Sequence, residues 1–192
     1  RHLGLYLSAL IQAGDILLPQ QKDFGGPKPT VVPVGIDQDP HLRLTRDLAF
    51  KFRGKYKFIS PSSTYHKLIK ALDGSPKMSK RDPMSYFTLE ETPKVIAKKI
   101  SNAFTGGRPT AEEQRRLGAN PDVCPVYDLY LFHFFEHDED VKKLYNYECK
   151  GGHILCGEDK ERLIKIVTEF VKEHQRKRRQ YVDKARGILE VE

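Results

Sequence analysis

The stretch that decides the fold is Thr30–Asp47, which reads TVVPVGIDQDPHLRLTRD. Its first part, Thr30–Ile36, is almost wholly apolar and rich in β-branched residues, as is typical of a buried parallel strand. Asp39 and Pro40 are residue types that favour an N-cap and the first turn of a helix. We therefore predict a strand followed directly by a helix that runs to about Phe52.

Three residues at the end of this strand have the chemistry of a ligand site. The carboxylate of Asp37 can accept hydrogen bonds from both hydroxyls of a ribose, and the amide of Gln38 can bind an amino or a carboxylate group. Gly35 has no Cβ, so a nucleoside can approach the backbone closely. Either aspartate, Asp37 or Asp39, could instead cap the next helix. We favour capping for Asp39 and a ligand role for Asp37, because open α/β sheets bind ligands at the carboxyl ends of their strands.

The rest of residues 1–91 alternates helix and strand patterns. Leu3–Ala13 has helical spacing, and Gly14 is expected to end that helix. We predict a second short strand at Tyr56–Ser60 and a short helix at Tyr65–Leu72. This order predicts an α/β fold with a Rossmann-type parallel sheet.

A second motif, Lys77-Met78-Ser79-Lys80, follows a cluster of turn residues, Asp73–Pro76. Each lysine carries a compact charge on a long stem and can follow phosphate groups as a loop closes. Met78 is expected to anchor the loop in an apolar pocket, and Ser79 can donate a hydrogen bond. A bare Lys-x-x-Lys is more often a solvated basic loop, so this motif depends on its combination with the strand-end residues.

Beyond Glu91 the sequence predicts only helices, in a second domain over residues 92–192. The signals are an N-terminal Thr-Pro pair, a capping box, a densely aromatic segment and a long amphipathic segment. They predict helices from Thr92-Pro93 to about Ala103, from Thr110 onwards, over Val126–Phe135 and over Glu158–Leu189.

The composition sets limits on partners and cofactors. The chain has 192 residues, 39% hydrophobic and 31% charged, with a net charge of +7 that favours a nucleic-acid partner. The basic run His174–Arg179 could lie near RNA phosphate, although a solvated helix face is the simpler interpretation. No apolar run reaches the roughly 20 residues of a membrane helix, so we expect no membrane partner and a cytoplasmic protein. Cys149, His153 and Cys156 have no fourth ligand at a zinc-like spacing, so no metal site is predicted.

The combination of motifs resembles one family. Thr30–Asp47 closely resembles the corresponding segment of archaeal and eukaryotic tryptophanyl-tRNA synthetases, and Lys77–Lys80 resembles the KMSKS signature of class I synthetases. Ile11–Asp15 (IQAGD) and Ala103–Arg108 (AFTGGR) are also similar. Tyrosyl-tRNA synthetases share the Asp-Gln pair but are less similar through Asp39–Asp47.

The resemblance implies a role for each matching position. Gln12 and Gln38 would hold the amino and carboxylate groups of tryptophan, and Asp37 with Gly35 would bind the ribose of ATP. Bacterial relatives have an aspartate at the position of Asp15 that accepts the indole N–H, whereas the eukaryotic branch uses upstream residues, so the indole partner stays open. The remaining implied ATP-binding residues are Lys77, Met78, Ser79 and Lys80, and both lysines are implied to be catalytic. Residues 92–192 correspond to the family's helical anticodon-binding domain, in which Arg108 is a candidate anticodon contact.

The implied function is ATP- and Mg²⁺-dependent formation of tryptophanyl-adenylate and transfer of tryptophan to tRNA(Trp), by an enzyme that is a homodimer when complete. Two alternatives stay open: a tyrosyl-tRNA synthetase, and a non-catalytic chain that binds tRNA.

The sequence departs from the family pattern in two places. Arg81 occupies the last position of the signature, where serine is usual. Class I synthetases also carry a His-x-Gly-His motif after their first strand, which His2-Leu3-Gly4-Leu5 matches poorly. We therefore expect a carboxyl-terminal half of a larger enzyme that does not adenylate tryptophan alone.

Overall fold

The structure is a computed structural model and describes residues 3–189. The chain folds into two compact units, which divide between Leu68 and Ile69. His2, the first residue of the compared His-Leu-Gly-Leu segment, lies outside the described residues. The predicted order of an α/β part followed by a helical part is confirmed. The predicted domain boundary after Glu91 stays a prediction.

The first unit contains two helices and a two-stranded parallel sheet. Its elements are helix α1 (Leu3–Leu17), strand β1 (Val31–Gly35), helix α2 (Asp39–Tyr56) and strand β2 (Ser62–His66), with short 3₁₀ turns at Leu18–Gln20, Lys22–Phe24 and Ile36–Gln38. The register runs from Val31 opposite Ser62 to Gly35 opposite His66. Both strands therefore end at the same edge of the sheet, which is the edge where parallel α/β sheets carry ligands.

Side chains connect the elements of this unit. Leu42, Thr45 and Ala49 form the buried stripe of α2, as their helical spacing requires. The guanidinium of Arg46 donates from Nε to the Pro61 carbonyl at 3.0 Å and from Nη2 to the Ser63 hydroxyl at 2.6 Å. Arg46 thereby holds α2 against the start of β2.

Four local predictions for the first unit are wrong. Helix α1 continues through Gly14 to Leu17, because the buried side chains Ala13 and Leu17 share one face and a single helical glycine costs only about 1 kcal/mol. The second strand lies at Ser62–His66 rather than Tyr56–Ser60, and the same strand replaces the start of the helix predicted at Tyr65–Leu72. Asp39 does not cap α2, because Gln38 occupies the N-cap position and no side chain caps this end.

The second unit is helical, and its helices pack around a hydrophobic core. It contains α3 (Pro93–Ser101), α4 (Ala111–Leu117), α5 (Pro125–Leu129), α6 (Asp138–Lys142) and the long α7 (Cys156–Leu189). A 3₁₀ turn lies at Pro121–Val123, and π-helical segments follow α5 at Tyr130–Phe134 and α6 at Lys143–Cys149. The core is formed by Leu72, Ile96, Ile100, Val126, Tyr130, Leu144, Leu163, Val167 and Val171.

The predicted helix starts at Thr92 and Thr110 are confirmed. The Thr92 hydroxyl accepts from Val95 N at 3.4 Å, and the Thr110 hydroxyl accepts from Glu113 N at 3.1 Å. The aromatic segment and the amphipathic segment are both helical, although the π turn at Tyr130–Phe134 was not predicted. Among residues 3–189, no helix combines the length and apolar composition that crossing a membrane requires.

Candidate functional site

The carboxyl end of β1 carries two of the predicted ligand residues close together. The chain leaves Gly35 through the 3₁₀ turn Ile36–Gln38 and enters α2 at Asp39. A Cβ placed on Gly35 would lie only 2.9 Å from Oδ1 of Asp37. Glycine at position 35 therefore allows the Asp37 carboxylate to lie directly against the end of the strand.

An open groove of about 370 Å³ lies at this edge of the sheet. Its walls are the last residues of both strands, Pro33–Gly35 from β1 and Thr64–His66 from β2. Gly35 itself borders the groove, so the strand end that carries Asp37 lies beside this open space.

The two predicted substrate glutamines are hydrogen-bonded to each other. Gln12 Nε2, on α1, donates to Gln38 Oε1 at 3.2 Å, across 26 positions of sequence. Nδ1 of His41 lies 2.5 Å from Gln12 Oε1. A carbonyl oxygen can only accept, so Nδ1 of His41 carries the proton and donates it. The hydrogen bonds from His41 to Gln12 and from Gln12 to Gln38 do not use the NH₂ group of Gln38, which is a donor.

His41 was not among the residues predicted from the sequence, although its spacing from Gln38 gives a signal for it. His41 follows Gln38 by three positions and lies in the first turn of α2, so both side chains share one face of that turn. Thr45 Oγ1 donates to the His41 carbonyl at 2.7 Å, which adds a contact one turn further along the helix.

Asp39 joins the two strand-end segments instead of capping a helix. Tyr65, on β2, donates its hydroxyl to Asp39 Oδ1 at 2.5 Å, and Arg43 Nε donates to Oδ2 at 2.7 Å. The hydrogen bond from Tyr65 holds the pKa of the Asp39 carboxyl below its ordinary value, and Arg43 adds to this effect. The carboxylate therefore stays ionised and connects α2 with the end of β2.

Asp15 lies on α1, one turn after Gln12, and its side chain is exposed. Its implied contact with an indole N–H stays a prediction.

In the second unit, the residues Lys77–Lys80 form an exposed loop with a folded base. Asp73 Oδ1 accepts from the Ser75 backbone N at 2.9 Å and from the Ser75 hydroxyl at 2.7 Å, and these bonds lower the pKa of Asp73. Gly74 has φ +87°, and a Cβ there would lie 2.8 Å from the Phe104 ring. This position therefore requires glycine both for its backbone conformation and for space.

Ser85, which was also not predicted from the sequence, holds the carboxyl-terminal part of this loop through hydrogen bonds with Ser79 and Asp82. Its side chain is buried, and its Oγ lies 2.7 Å from the Asp82 carbonyl, 3.1 Å from the Ser79 carbonyl and 3.2 Å from the Ser79 N that donates to it. The Ser79 hydroxyl in turn accepts from Arg81 N at 3.3 Å. The second half of the signature is thus a compact turn organised by one buried hydroxyl.

Met78 contacts an apolar cavity of about 450 Å³ inside the second unit. The other walls of this cavity include Leu72, Phe87, Phe134 and Phe170. Met78 lines this cavity and remains 38% exposed, and its role in anchoring the loop stays a prediction.

Arg108 is held by its own neighbourhood. Nε donates to the Gly118 carbonyl at 3.0 Å, and the Arg108 N donates to Gln114 Oε1 at 3.4 Å. Gly106 packs so closely on Asn120 that a Cβ would lie 1.8 Å from the Asn120 carbonyl oxygen. Arg108 is exposed, and its Nε is held by the backbone of the neighbouring loop, while its role as an anticodon contact stays a prediction.

The basic run His174–Arg179 is partly neutralised. Glu173 binds Arg176 at 2.7 Å and Lys177 at 3.5 Å, and Arg178 binds Glu90 at 2.9 Å. The hydrogen bond from Arg176 lowers the pKa of Glu173 to about 2. These pairs favour the interpretation of a solvated helix face.

The three cysteines are reduced, and burial raises the pKa of the Cys124 and Cys149 thiols, the latter to about 12. Among the described residues, no three His, Cys, Asp or Glu side chains are arranged to hold a metal ion.

Comparisons with known proteins agree on one family. The family model for class I tRNA synthetases (W and Y) matches residues 3–172. The tryptophan–tRNA ligase of Hyperthermus butylicus is 47% identical over 171 residues, which cover 89% of this chain and 45% of that relative. The corresponding ligase of Methanocaldococcus jannaschii is 42% identical, over 98% of this chain and 51% of the relative.

A solved structure gives the same result. The crystal structure of tryptophanyl-tRNA synthetase from Aeropyrum pernix K1 is 50% identical and superposes with a TM-score of 0.83, over 88% of this chain and 45% of that one. This chain thus spans about half the length of the relatives that it matches.

Proposed function

This chain belongs to the class I tRNA synthetases of the tryptophan and tyrosine type, and from that membership we propose that its whole protein is a tryptophan–tRNA ligase. The family resemblance found in the sequence is thereby confirmed. The relatives named above favour tryptophan over tyrosine as the amino acid. The observation that carries the proposal is the 3.2 Å hydrogen bond between Gln12 and Gln38, because it joins the two predicted substrate amides.

The proposed reaction has two steps. A carboxylate oxygen of tryptophan attacks the α-phosphorus of ATP, and the bond to the bridging oxygen breaks, so that pyrophosphate leaves. A ribose hydroxyl at the end of tRNA(Trp) then attacks the activated carbonyl carbon, and AMP leaves. Negative charge builds on the phosphates in the first step and on the carbonyl oxygen in the second, so fixed donors and cations accelerate both.

In the first unit, the proposed roles follow from the strand-end geometry. Asp37 accepts hydrogen bonds from the ATP ribose, and Gly35 borders the groove in which the nucleoside would approach the backbone. The NH₂ group of Gln38 donates to the substrate carboxylate, while Gln12 orients Gln38 and contributes to binding the amino acid. His41 acts as a positioning residue through Gln12.

In the second unit, Lys77, Ser79 and Lys80 are proposed to bind the phosphates of ATP, with Met78 anchoring their loop. Their exposure and the turn organised by Ser85 support this role. Mg²⁺ would neutralise phosphate charge, and it would be held by the ATP phosphates, because the described residues present no carboxylate set for it. Arg108 is the proposed anticodon contact.

The proposed nucleic-acid partner is tRNA(Trp), and a homodimer is the proposed assembly of the whole protein. Because translation consumes charged tRNA, the proposed compartment is the cytoplasm.

ATP–pyrophosphate exchange by the whole protein, with tryptophan and tyrosine in parallel, tests this function. We expect exchange with tryptophan, and a loss of about tenfold or more in kcat/KM for Gln38→Ala, since one hydrogen bond to a charged group is worth about 1.5–3 kcal/mol. Gln21→Ala is the matched control, because its side chain belongs to the same unit and not to the glutamine pair. Exchange with tyrosine instead of tryptophan would identify the tyrosyl enzyme, and no exchange with either would contradict the proposal.

A further inference from the structure

Two aromatic rings are stacked on the surface of the second unit, and neither belongs to the residues proposed to bind ATP, tryptophan or the anticodon. The ring centroids of Tyr147 and His153 are 4.0 Å apart, and the ring planes differ by 14°. Tyr147 is 56% exposed, and His153 is exposed as well. The pair therefore forms a flat, preformed aromatic surface in contact with solvent.

The backbone turn between Tyr147 and His153 brings the two rings together. After the π-helical segment Lys143–Cys149, His153 N donates to the Glu148 carbonyl at 2.9 Å, and the chain folds back on itself. A Cβ on Gly151 would lie 2.2 Å from the Tyr147 carbonyl oxygen and 2.9 Å from His153 Cδ2. Gly152 has φ +71°, which favours glycine. The glycine pair is thus needed for the His153 ring to lie over Tyr147.

Exposed cations adjoin the same piece of backbone. The backbone of Gly152 packs closely on that of Arg115, since a Cβ on Gly152 would lie 2.6 Å from the Arg115 carbonyl oxygen. The backbone of Gly118 packs on that of Lys150 in the same way, since a Cβ on Gly118 would lie 2.0 Å from the Lys150 carbonyl oxygen. Gly118 is also the residue whose carbonyl holds Arg108.

The acidic residue within this turn is already paired. Glu148 binds Arg162 at 2.8 Å, and the same guanidinium binds Asp159 at 2.8 Å, so both carboxylates are paired with one cation inside the unit. Arg115 and Lys150, whose backbone adjoins this turn, are both exposed, and Lys150 Nζ lies 4.4 Å from the centroid of the Tyr145 ring.

We propose that the Tyr147–His153 pair is a stacking platform for an unpaired nucleobase of tRNA, with Arg108, Arg115 and Lys150 attracting the adjoining phosphates. Proteins bind single-stranded RNA through aromatic rings that stack on the bases and through cations that contact the backbone. The inference rests on the proposed function, which supplies tRNA as the ligand. The competing explanation, that the pair only closes the turn, predicts no effect on RNA affinity.

The test is the Kd of this chain for a fluorescently labelled tRNA(Trp) transcript, measured by anisotropy over a series of salt concentrations. Loss of one stacked base predicts roughly tenfold weaker binding for Tyr147→Ala, whereas Tyr147→Phe keeps the ring and stays within about twofold. His153→Ala provides a second variant, since it removes the other ring. Tyr6→Ala, at a similarly exposed tyrosine of the first unit (58%), is the matched control and is expected to bind as the wild type does.

Salt dependence separates stacking from charge. Tyr147→Ala is expected to keep the slope of log K against log salt, whereas Lys150→Ala is expected to reduce it by about 0.7. Wild-type affinity in Tyr147→Ala and His153→Ala would overturn the platform and leave the proposed function intact. Failure of the wild-type chain to bind tRNA would also overturn it, and the exchange assay would then judge the proposed function separately.

Discussion

The two units use their apolar side chains differently. In the second unit, large side chains from α3, α5 and α7 are fully buried in one continuous core. In the first unit, α1 buries the small Ala13 along with Leu17 but leaves Leu10 and Ile11 50% and 64% exposed. Burial of apolar area is the main driving force of folding, so the second unit is expected to be the more stable one. The first unit instead presents polar ligand residues at the end of a small sheet.

Removing the same side chain from each unit gives the largest expected contrast. Ile100→Ala, at a position with 0% exposure, is expected to lower the free energy of unfolding by about 2–5 kcal/mol, because it leaves a cavity. Ile11→Ala is expected to change it by no more than about 0.5 kcal/mol. Urea denaturation followed by circular dichroism measures both, and equal losses would contradict the contrast.

Ion pairs provide a second, smaller contrast. Lys70 binds Asp128 at 2.8 Å, and the Asp128 side chain is 2% exposed, so Lys70→Met leaves a buried carboxylate without its partner. We expect a loss of about 3 kcal/mol in the free energy of unfolding. Arg43→Met breaks a pair whose arginine is 76% exposed, and here a change below about 1 kcal/mol is expected. A larger loss for Arg43→Met in the same denaturation experiment would reverse the comparison.

The smallest expected effect concerns function within the first unit. Gly35→Ala is expected to displace the Asp37 carboxylate and to raise the KM of the whole protein for ATP about five- to tenfold, equivalent to about 1–1.4 kcal/mol. Gly54→Ala is the control, because a Cβ there meets no atom within 4 Å and the position lies inside α2. The control should leave this KM unchanged and stabilise the helix by up to about 1 kcal/mol. An unchanged KM for ATP in Gly35→Ala would show that Gly35 does not contribute to ATP binding.

The parts of the fold that were predicted correctly depend on neighbours in sequence. The strand at Val31–Gly35 and the helix that follows are marked by β-branched residues and by Pro40, and the caps at Thr92 and Thr110 act over three positions. Local chemistry was sufficient for each of these elements. The predicted ligand residues were also chosen from contiguous motifs, and their roles stay predictions.

The misplaced second strand has a nonlocal cause. Phe58 and Ile59 resemble a strand, but the backbone of Ile59 pairs with a side chain: its N donates to Gln20 Oε1 at 2.8 Å, and its carbonyl accepts from Gln20 Nε2 at 3.0 Å. Gln20 is fully buried and lies 39 positions away. No local pattern predicts that a glutamine replaces a neighbouring strand.

The missed residues of the candidate site have a similar explanation. His41 lies within Thr30–Asp47 and Ser85 follows the Lys77–Lys80 signature, but their importance comes from contacts with Gln12 and with the Ser79 turn, which only the folded chain brings together.

The hydrogen bonds from His41 to Gln12 and on to Gln38 run in one direction. Nδ1 of His41 donates to the oxygen of Gln12, and the amide nitrogen of Gln12 donates to the oxygen of Gln38. One ring on α2 therefore fixes the orientation of two amide groups, because each amide has to turn its oxygen towards the donor that precedes it. A side chain without a donor at position 41 would allow both amides to rotate and Gln38 to present its oxygen in place of its NH₂ group.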